Sequence, residues 1–194
     1  MPTIMKRTTL LILLFTAFSL LAQDKFKTST AIVNFEASVP FFEEVKAVNK
    51  LGTIVLEPQS STLICTVTVK DFRFKMDLMQ EHFNDNYLET NRYPKAVFKG
   101  KIEKFDLKDI DGIEKEYNVK GKLYLHGKSK IIEMKALIKR VPEGIQISCN
   151  YPISVSDFNI AIPSMVANKI STTANTNLLG VVQNGEEKKY LTLK

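Results

Sequence analysis

The sequence predicts an all-β protein, an eight-stranded antiparallel β-barrel with one short α-helix between strands. Alternation of apolar and polar residues recurs in eight runs, each long enough for a strand. Turn-forming residues separate the runs, for example Pro58-Gln59-Ser60 and Glu143-Gly144. Eight such strands favour a closed barrel because closure leaves no unpaired sheet edge.

The N-terminal residues are typical of an export signal over 1–22. Lys6 and Arg7 precede an apolar stretch over 10–21, and cleavage is expected near Ala22 or Gln23. The stretch has about a dozen residues, whereas a membrane-spanning helix needs about 20. No cysteine lies directly after this stretch, at the expected cleavage site, which argues against a lipoprotein anchor. We therefore expect a periplasmic or secreted protein.

One barrel domain is expected over 24–180, followed by a C-terminal tail over 181–194 that adds a short pairing segment or frays. About 170 residues suffice for a single core. The predicted strands are 26–37, 45–57, 62–76, 96–105, 117–126, 131–141, 144–153 and 166–178.

The segment 71–102 predicts a strand, a short helix and another strand. Phe72, Phe74 and Met76 alternate with basic residues, as on a strand with one buried face. Asp77 then predicts a helix start, with Gln80 as its capping-box partner.

The helix has one apolar stripe, formed by Met76, Met79, Phe83 and Tyr87 at helical spacing. This stripe must pack against another part of the protein. Pro94 ends the helical region because it lacks an amide hydrogen, and apolar alternation resumes after it.

Three runs of the chain resemble the YceI-like family: MDLMQEHFNDNYLETNRYPKAVFKGKI over 76–102, YNVKGKLYLHGKSK over 117–130 and SDFNIAIP over 156–163. The resemblance covers roughly 26–179. It implies a lipocalin-like barrel, exported to the periplasm, that holds a polyisoprenoid or similar amphiphilic lipid. The chain differs from the usual pattern over 36–52, where EASVPFFEEVKAVNKLG replaces a histidine-containing strand and a glycine-rich turn.

The apolar faces of the strands and helix provide a candidate ligand site. The expected ligand-binding residues are Phe72, Phe74, Met76, Met79, Phe83, Tyr87, Phe98, Leu123, Leu125, Met134, Ile147, Tyr151 and Phe158. Gly100 and Gly121 share the inward face. They either remove side-chain volume from a cavity or permit the barrel to bend.

The formal net charge is +6, and the signal accounts for two of the basic residues. This modest charge does not indicate nucleic-acid binding. Lysines over 95–139 occupy outward strand positions, where they solubilise the sheet. The alternative is docking to anionic lipid headgroups, so peripheral membrane contact stays open.

No constellation of residues indicates catalysis or metal binding. His82 and His126 are the only histidines and lie outside any metal motif, so surface or capping roles are expected, with His126 helping to form a hairpin. Gly127-Lys128-Ser129 resembles a phosphate loop only superficially, because strands flank it on both sides.

Cys65 and Cys149 occupy apolar strand positions, as a disulfide or as small buried hydrophobes. Polar residues near the expected site could bind a ligand head group or simply face water: Arg73, Tyr87, Arg92, Tyr93, Asp157 and Asn159.

We expect an exported lipid-binding protein that holds its hydrophobic ligand for transport or storage, without catalysis, metal or cofactor. The alternative is a barrel with a filled interior that serves as an envelope stress or protein-interaction module.

Overall fold

The computed structural model describes residues 25–185; the predicted signal peptide and residues 186–194 lie outside the described residues. Its strands are β1 Phe26–Ser38, β2 Lys46–Glu57, β3 Thr62–Thr68, β4 Arg73–Phe74, β5 Lys95–Ile102, β6 Lys115–Leu125, β7 Lys128–Val141, β8 Gly144–Ser154 and β9 Ile170–Asn184. One α-helix, α1, spans Asp77–His82 and continues into a π-helical turn, Phe83–Tyr87. No helix in the described part of the chain is long and apolar enough to cross a membrane.

Eight of the strands form a closed antiparallel barrel, as predicted. Each strand of the ring pairs with its neighbours along the chain, and β1 closes the ring by pairing with both β2 and β9. The two-residue strand β4 lies outside this ring order and pairs only with β2, where Phe74 is opposite Ala47.

The predicted strand over 62–76 is interrupted, which corrects its assignment as one element. The β3 strand ends at Thr68, and a 3-10 turn follows over Val69–Asp71. The Val69 amide donates to the Pro94 carbonyl at 2.8 Å, which ties the end of β3 to the start of β5. The chain can then leave the barrel wall and cross one end of the barrel in α1.

The predicted capping box at α1 is wrong. Met76 is the N-cap residue, and Asp77 is already in the first helical turn, where its charge favours the helix dipole. Gln80 does not reach back to the cap; its side-chain oxygen accepts a hydrogen bond from the Phe74 amide at 3.2 Å. This bond joins the helix to β4.

The last strand starts later and ends later than predicted. A 3-10 turn over Ser164–Val166 precedes β9, which continues to Asn184. Val182 is fully buried opposite Ile145, so the beginning of the predicted tail belongs to the barrel.

The hydrophobic core extends along the barrel, and its side chains fill the centre at one end, which we call the closed pole. The chain enters and leaves there, since Phe26 at the start of β1 is paired with Asn184 at the end of β9. Side chains from all around the ring meet in its centre without exposure to solvent. They include Ile54, Leu56, Ile138, Ile145, Ile147 and Val182.

Gly100 and Gly121 serve the bending of the barrel wall and do not enlarge a cavity. They lie opposite each other on β5 and β6. A Cβ atom on Gly121 would lie 2.4 Å from the Gly100 Cα, and one on Gly100 would lie 2.5 Å from the Phe98 ring. The absence of side chains lets the strands approach and lets Phe98 fold over the backbone.

Candidate ligand-binding cavity

The opposite end of the barrel, the open pole, contains a cavity of about 550 Å³. Its wall comes from β1, β3 and from β5 to β9, and α1 with its π-helical extension covers one side. The lining is almost entirely aliphatic, aromatic and sulfur-containing. The barrel is therefore packed at one pole and hollow at the other.

Most of the predicted ligand-binding residues line this cavity. The structure brings together Phe72, Phe74, Met76, Met79, Phe83, Tyr87, Phe98, Leu123, Leu125, Met134 and Tyr151. Their common feature is an inward position in the half of the barrel nearest α1.

Ile147 and Phe158, in contrast, lie outside the cavity lining. Ile147 faces inward as predicted, but at the closed pole, where it is fully buried opposite Ile138. Phe158 is in a 3-10 turn after β8, not on a strand, and its ring is buried in the core. Residue type predicted burial for both residues. It did not predict the height of Ile147 along the barrel or the position of Phe158 outside the strands.

A cluster of four phenylalanines joins the helix to the barrel wall. Phe83, in the π-helical turn, stacks on Phe35 with ring centroids 5.5 Å apart and lies 5.0 Å from Phe74 and 5.8 Å from Phe72. Phe35 was missed in the sequence analysis. The alternation of Ala31, Val33, Phe35 and Ala37 along β1 could have identified it.

The apolar stripe of the helix faces the cavity, as expected from its spacing. Met79, Phe83 and Tyr87 line the interior, whereas Met76 and Leu78 are partly exposed at the mouth. The π-helical turn adds a residue to the helical repeat, which carries the stripe on to Tyr87. Burial raises the pKa of the Tyr87 phenol, so this hydroxyl is uncharged at neutral pH.

Cys65 and Cys149 are free thiols in the cavity wall. They belong to β3 and β8, which lie on opposite sides of the strand ring. Burial raises the pKa of both thiols, to about 11 for Cys149, and a smaller electrostatic contribution from Cys149 also raises the pKa of Cys65. Both side chains therefore act as small hydrophobes, one of the two alternatives left by the sequence.

His126 has a structural role that the surface assignment missed. It occupies the two-residue turn between β6 and β7 with φ 48°, followed by Gly127 at φ 71°. Its Nδ1 donates to the Phe158 carbonyl at 3.0 Å, and its Nε2 lies 2.9 Å from the Glu89 carboxylate. The Tyr93 ring packs edge-on against it at 4.7 Å. The hairpin role of His126 is confirmed, and its ring also connects three segments.

Of the polar residues considered for a ligand head group, only Tyr87 reaches the cavity. Arg73 is turned outward and donates to the Lys70 carbonyl, and Arg92 lies over the Tyr93 ring. Asp157 forms an ion pair with Lys130, and Asn159 ends the 3-10 turn in a left-handed conformation.

The mouth of the cavity carries a few polar groups of mixed charge: Glu43, His82, Lys169 and Ser171. The described residues contain no group of three or more histidine, cysteine, aspartate or glutamate side chains that could hold a metal ion.

A family model described as the YceI-like domain matches residues 25–178. Comparison with curated proteins found no match.

Solved structures with this fold include a polyisoprenoid-binding domain from Saccharophagus degradans implicated in plant cell wall breakdown. That domain is 16% identical to this chain, with a TM-score of 0.72. The match covers 84% of this chain and 99% of that domain. BcnA from Burkholderia cenocepacia has TM-score 0.63 and 16% identity, over 79% of this chain and 96% of BcnA. The Campylobacter jejuni YCEI protein is 25% identical with TM-score 0.52, over 69% of this chain and 79% of that protein.

Proposed function

Since the chain belongs to the YceI-like domain family, we propose that it binds a polyisoprenoid or similar long-chain amphiphile in the open pole of its barrel. The protein stores or transports this lipid outside the cytoplasm and does not transform it. The location is inferred from the export-signal pattern over 1–22, and the ligand class is supported by the polyisoprenoid-binding domain of Saccharophagus degradans, which has the same fold.

The observation that carries this proposal is the hollow, apolar open pole. A volume of about 550 Å³ lies in the range of ligand sites, roughly 300–1,000 Å³. A barrel used only as an interaction module would have no need of this space. The cavity therefore favours lipid binding over the filled-barrel alternative.

Removal of the chain from water provides the binding free energy, about 0.8 kcal/mol for each buried methylene. The lining offers few hydrogen-bonding partners below the mouth, so the apolar tail lies inside and the polar head remains near the opening. Lys169, Ser171 and the Tyr87 hydroxyl are the donors closest to that position.

The chemistry of the lining supports binding without catalysis. The Cys65 and Cys149 thiols, partly buried in the apolar cavity wall, are protonated at neutral pH and are poor nucleophiles. The charged lining residues, Glu43 and Lys169, lie on segments at the mouth and not around the enclosed lipid tail. We therefore assign the protein a carrier function.

Native mass spectrometry of protein isolated from its own cell envelope, followed by organic extraction, tests this function. One bound isoprenoid or other long-chain lipid per chain is expected. A bare polypeptide mass that remains unchanged after incubation with such lipids would contradict the proposal.

Met79→Asp tests the role of the helix, because it places a charge on the cavity side without removing a member of the phenylalanine cluster. Asn86→Asp is the matched control, since Asn86 is exposed and receives the same charge. We expect lipid retention to fall at least about tenfold in the first variant, from the cost of burying a charge beside the ligand, and to be unchanged in the control. Equal retention in both would exclude the helix from the site.

A further inference from the structure

An apolar rim surrounds the mouth of the cavity, formed by Phe41, Phe42, Met76, Leu78 and Met165. Phe41, Leu78 and Met165 are 103%, 58% and 87% exposed. Phe42, Met76 and Leu78 line the opening itself, and Phe41 and Met165 are sequence neighbours of lining residues. Three separate segments thus bring large apolar side chains to one end of the molecule.

Phe41 gives the clearest indication that this exposure serves a purpose. It lies in the loop between β1 and β2 with φ 69°, a conformation that is unfavourable for a bulky residue. The strained backbone directs the entire ring into water, which adds a second unfavourable contribution. Burial of the ring against a partner would offset both the backbone strain and the exposure of the ring to water.

The charges around the rim indicate which kind of partner this is. Lys46 is paired with Glu36 and Glu44, and the mouth itself has both an acidic and a basic residue, Glu43 and Lys169, so neither sign dominates. Such a surface does not favour a strongly charged partner. It favours an uncharged apolar phase.

Lysines on the barrel wall form ion pairs with neighbouring carboxylates. Lys120 is paired with Glu133, and Lys135 with Glu116 at 2.7 Å. Lys115, Lys130 and Lys139 also form ion pairs, so part of the lysine charge on the barrel wall is neutralised.

The rim is also the free end of the described barrel, because the chain enters and leaves at the closed pole. It is continuous with the apolar cavity, so a lipid leaving the cavity passes between the rim side chains. The phase in which such a lipid dissolves is a bilayer.

We propose that the apolar rim docks the mouth of the barrel onto the surface of a lipid bilayer by inserting Phe41 and Met165. The amphiphile then passes between bilayer and cavity without crossing water. This inference rests on the proposed carrier function, because it supplies the route by which the ligand is loaded and released.

Tryptophan fluorescence provides a direct test, since the chain contains no tryptophan. Phe41→Trp introduces a single reporter at the rim, and Ile113→Trp introduces one at the closed pole, where Ile113 is 72% exposed. On phosphatidylcholine vesicles we expect a blue shift and quenching by brominated acyl chains for Phe41→Trp only. An equal response of both reporters, or none from Phe41→Trp, would overturn the docking orientation.

Sedimentation with sucrose-loaded phosphatidylcholine vesicles tests the energetics. Phe41→Ser combined with Met165→Ser should lower vesicle binding at least about tenfold, from the lost burial of two large side chains. Ile113→Ser is the matched control and should bind as the parent does. Binding should also change little between 0.05 and 0.5 M salt, since screening weakens only charge-driven contacts.

The outcomes separate this inference from the carrier function. Lipid in the extract without vesicle binding would overturn docking and leave the carrier function intact. Rim-dependent vesicle binding without any extracted lipid would support docking and contradict the carrier function. Binding that needs anionic lipid and vanishes in salt would overturn the rim as the docking surface. A concentration-dependent blue shift of Phe41→Trp without vesicles, accompanied by dimers in ultracentrifugation, would assign the rim to a second copy and overturn membrane docking.

Discussion

At the scale of single residues, burial decides what the two cysteines can do. The pattern around Cys65 and Cys149 predicted inward positions but not whether they would form a disulfide. Their strands lie on opposite sides of the ring, and both thiols are free. Their environment is apolar, which disfavours the thiolate.

We expect both thiols to react slowly with a water-soluble disulfide reagent at pH 7. With the pKa of Cys149 raised to about 11, only about one thiol in 10,000 is ionised at that pH. The reaction should accelerate as the pH rises above 9, as long as the fold persists, and bound lipid should slow it further. Stopped-flow absorbance measures these rates, and Cys65→Ser and Cys149→Ser assign them to each residue. Rapid labelling of the native protein at pH 7 would contradict the raised pKa values of the two thiols.

His126 shows how a single ring can connect distant segments. Its backbone satisfies a two-residue hairpin turn, for which asparagine is also well suited. Its ring, however, contacts Glu89, Tyr93 and the Phe158 carbonyl, none of which is near it in sequence.

His126→Asn should therefore lower the free energy of unfolding by about 1–3 kcal/mol, because it keeps the turn but removes the buried hydrogen bonds. Urea denaturation of the variant and the parent at pH 7 measures this difference. His82→Asn is the control: His82 is exposed, and the change should stay within about 0.5 kcal/mol. Equal stability of His126→Asn and the parent would mean that the ring contacts contribute nothing.

At the scale of elements, β2 is irregular at the point where a polar side chain enters the core. Asn49 is completely buried, and its side chain donates to the Thr68 carbonyl at 3.0 Å and accepts from the Leu51 amide at 2.8 Å. The pairing of β1 with β2 shifts register beside it, between Ala31 and Val33. Asn49 thus satisfies backbone groups that the ladder leaves unpaired.

Asn49→Ala should destabilise the protein by about 2–3 kcal/mol, because it removes the side-chain partner of the Thr68 carbonyl and the Leu51 amide and leaves a small cavity at a fully buried position. Asn118→Ala is the matched control, since Asn118 is exposed and makes one long contact of 3.5 Å with Glu103. Chemical denaturation of both variants gives the comparison. The interpretation of Asn49 as a structural residue fails if the two variants lose equal stability.

The helical segment is the element in which sequence and structure differ most. Its apolar stripe was predicted correctly and faces the cavity, but Gln80 bonds to the Phe74 amide and not to the helix cap. Its extension is π-helical over Phe83–Tyr87, which no local pattern indicated. Contacts with Phe74, in the preceding strand β4, and with Phe35, far earlier in the chain on β1, stabilise Phe83 in this position.

At the scale of the whole molecule, the proposed function depends on the division into a packed pole and a hollow pole. The same strands contribute to both: Ile145 and Ile147 of β8 fill the core, while Tyr151 and Ile153 line the cavity. The closed pole provides stability, so residues that line the open pole can be suited to a ligand without loss of the fold.

A substitution that fills the cavity should reduce ligand binding at the open pole without lowering the stability that the closed pole provides. Ala96 lines the cavity, and the next residue, Val97, lies on the outer face of β5. Ala96→Phe should reduce lipid retention severalfold by occupying ligand space, with a change in unfolding free energy of the ligand-free protein below about 1 kcal/mol. Val97→Phe should retain lipid normally. Extraction with mass spectrometry and denaturant unfolding measure both quantities; unaltered lipid content in Ala96→Phe would place the ligand elsewhere.

Local signals were sufficient to predict the fold class, the succession of strands along the chain and many of the inward-facing residues, because period-two alternation and turn chemistry are local properties. Eleven of the thirteen residues predicted to bind ligand line the cavity, including Phe72, Met79 and Tyr151, but the lining residues of β1 and β9 were not predicted. Only the tertiary structure decided the height of each side chain along the barrel. Ile147 and Tyr151 have the same inward orientation, yet one is core and the other is cavity wall. Barrel registration and the path of α1 across one pole set that height, and both depend on contacts between residues far apart in the chain.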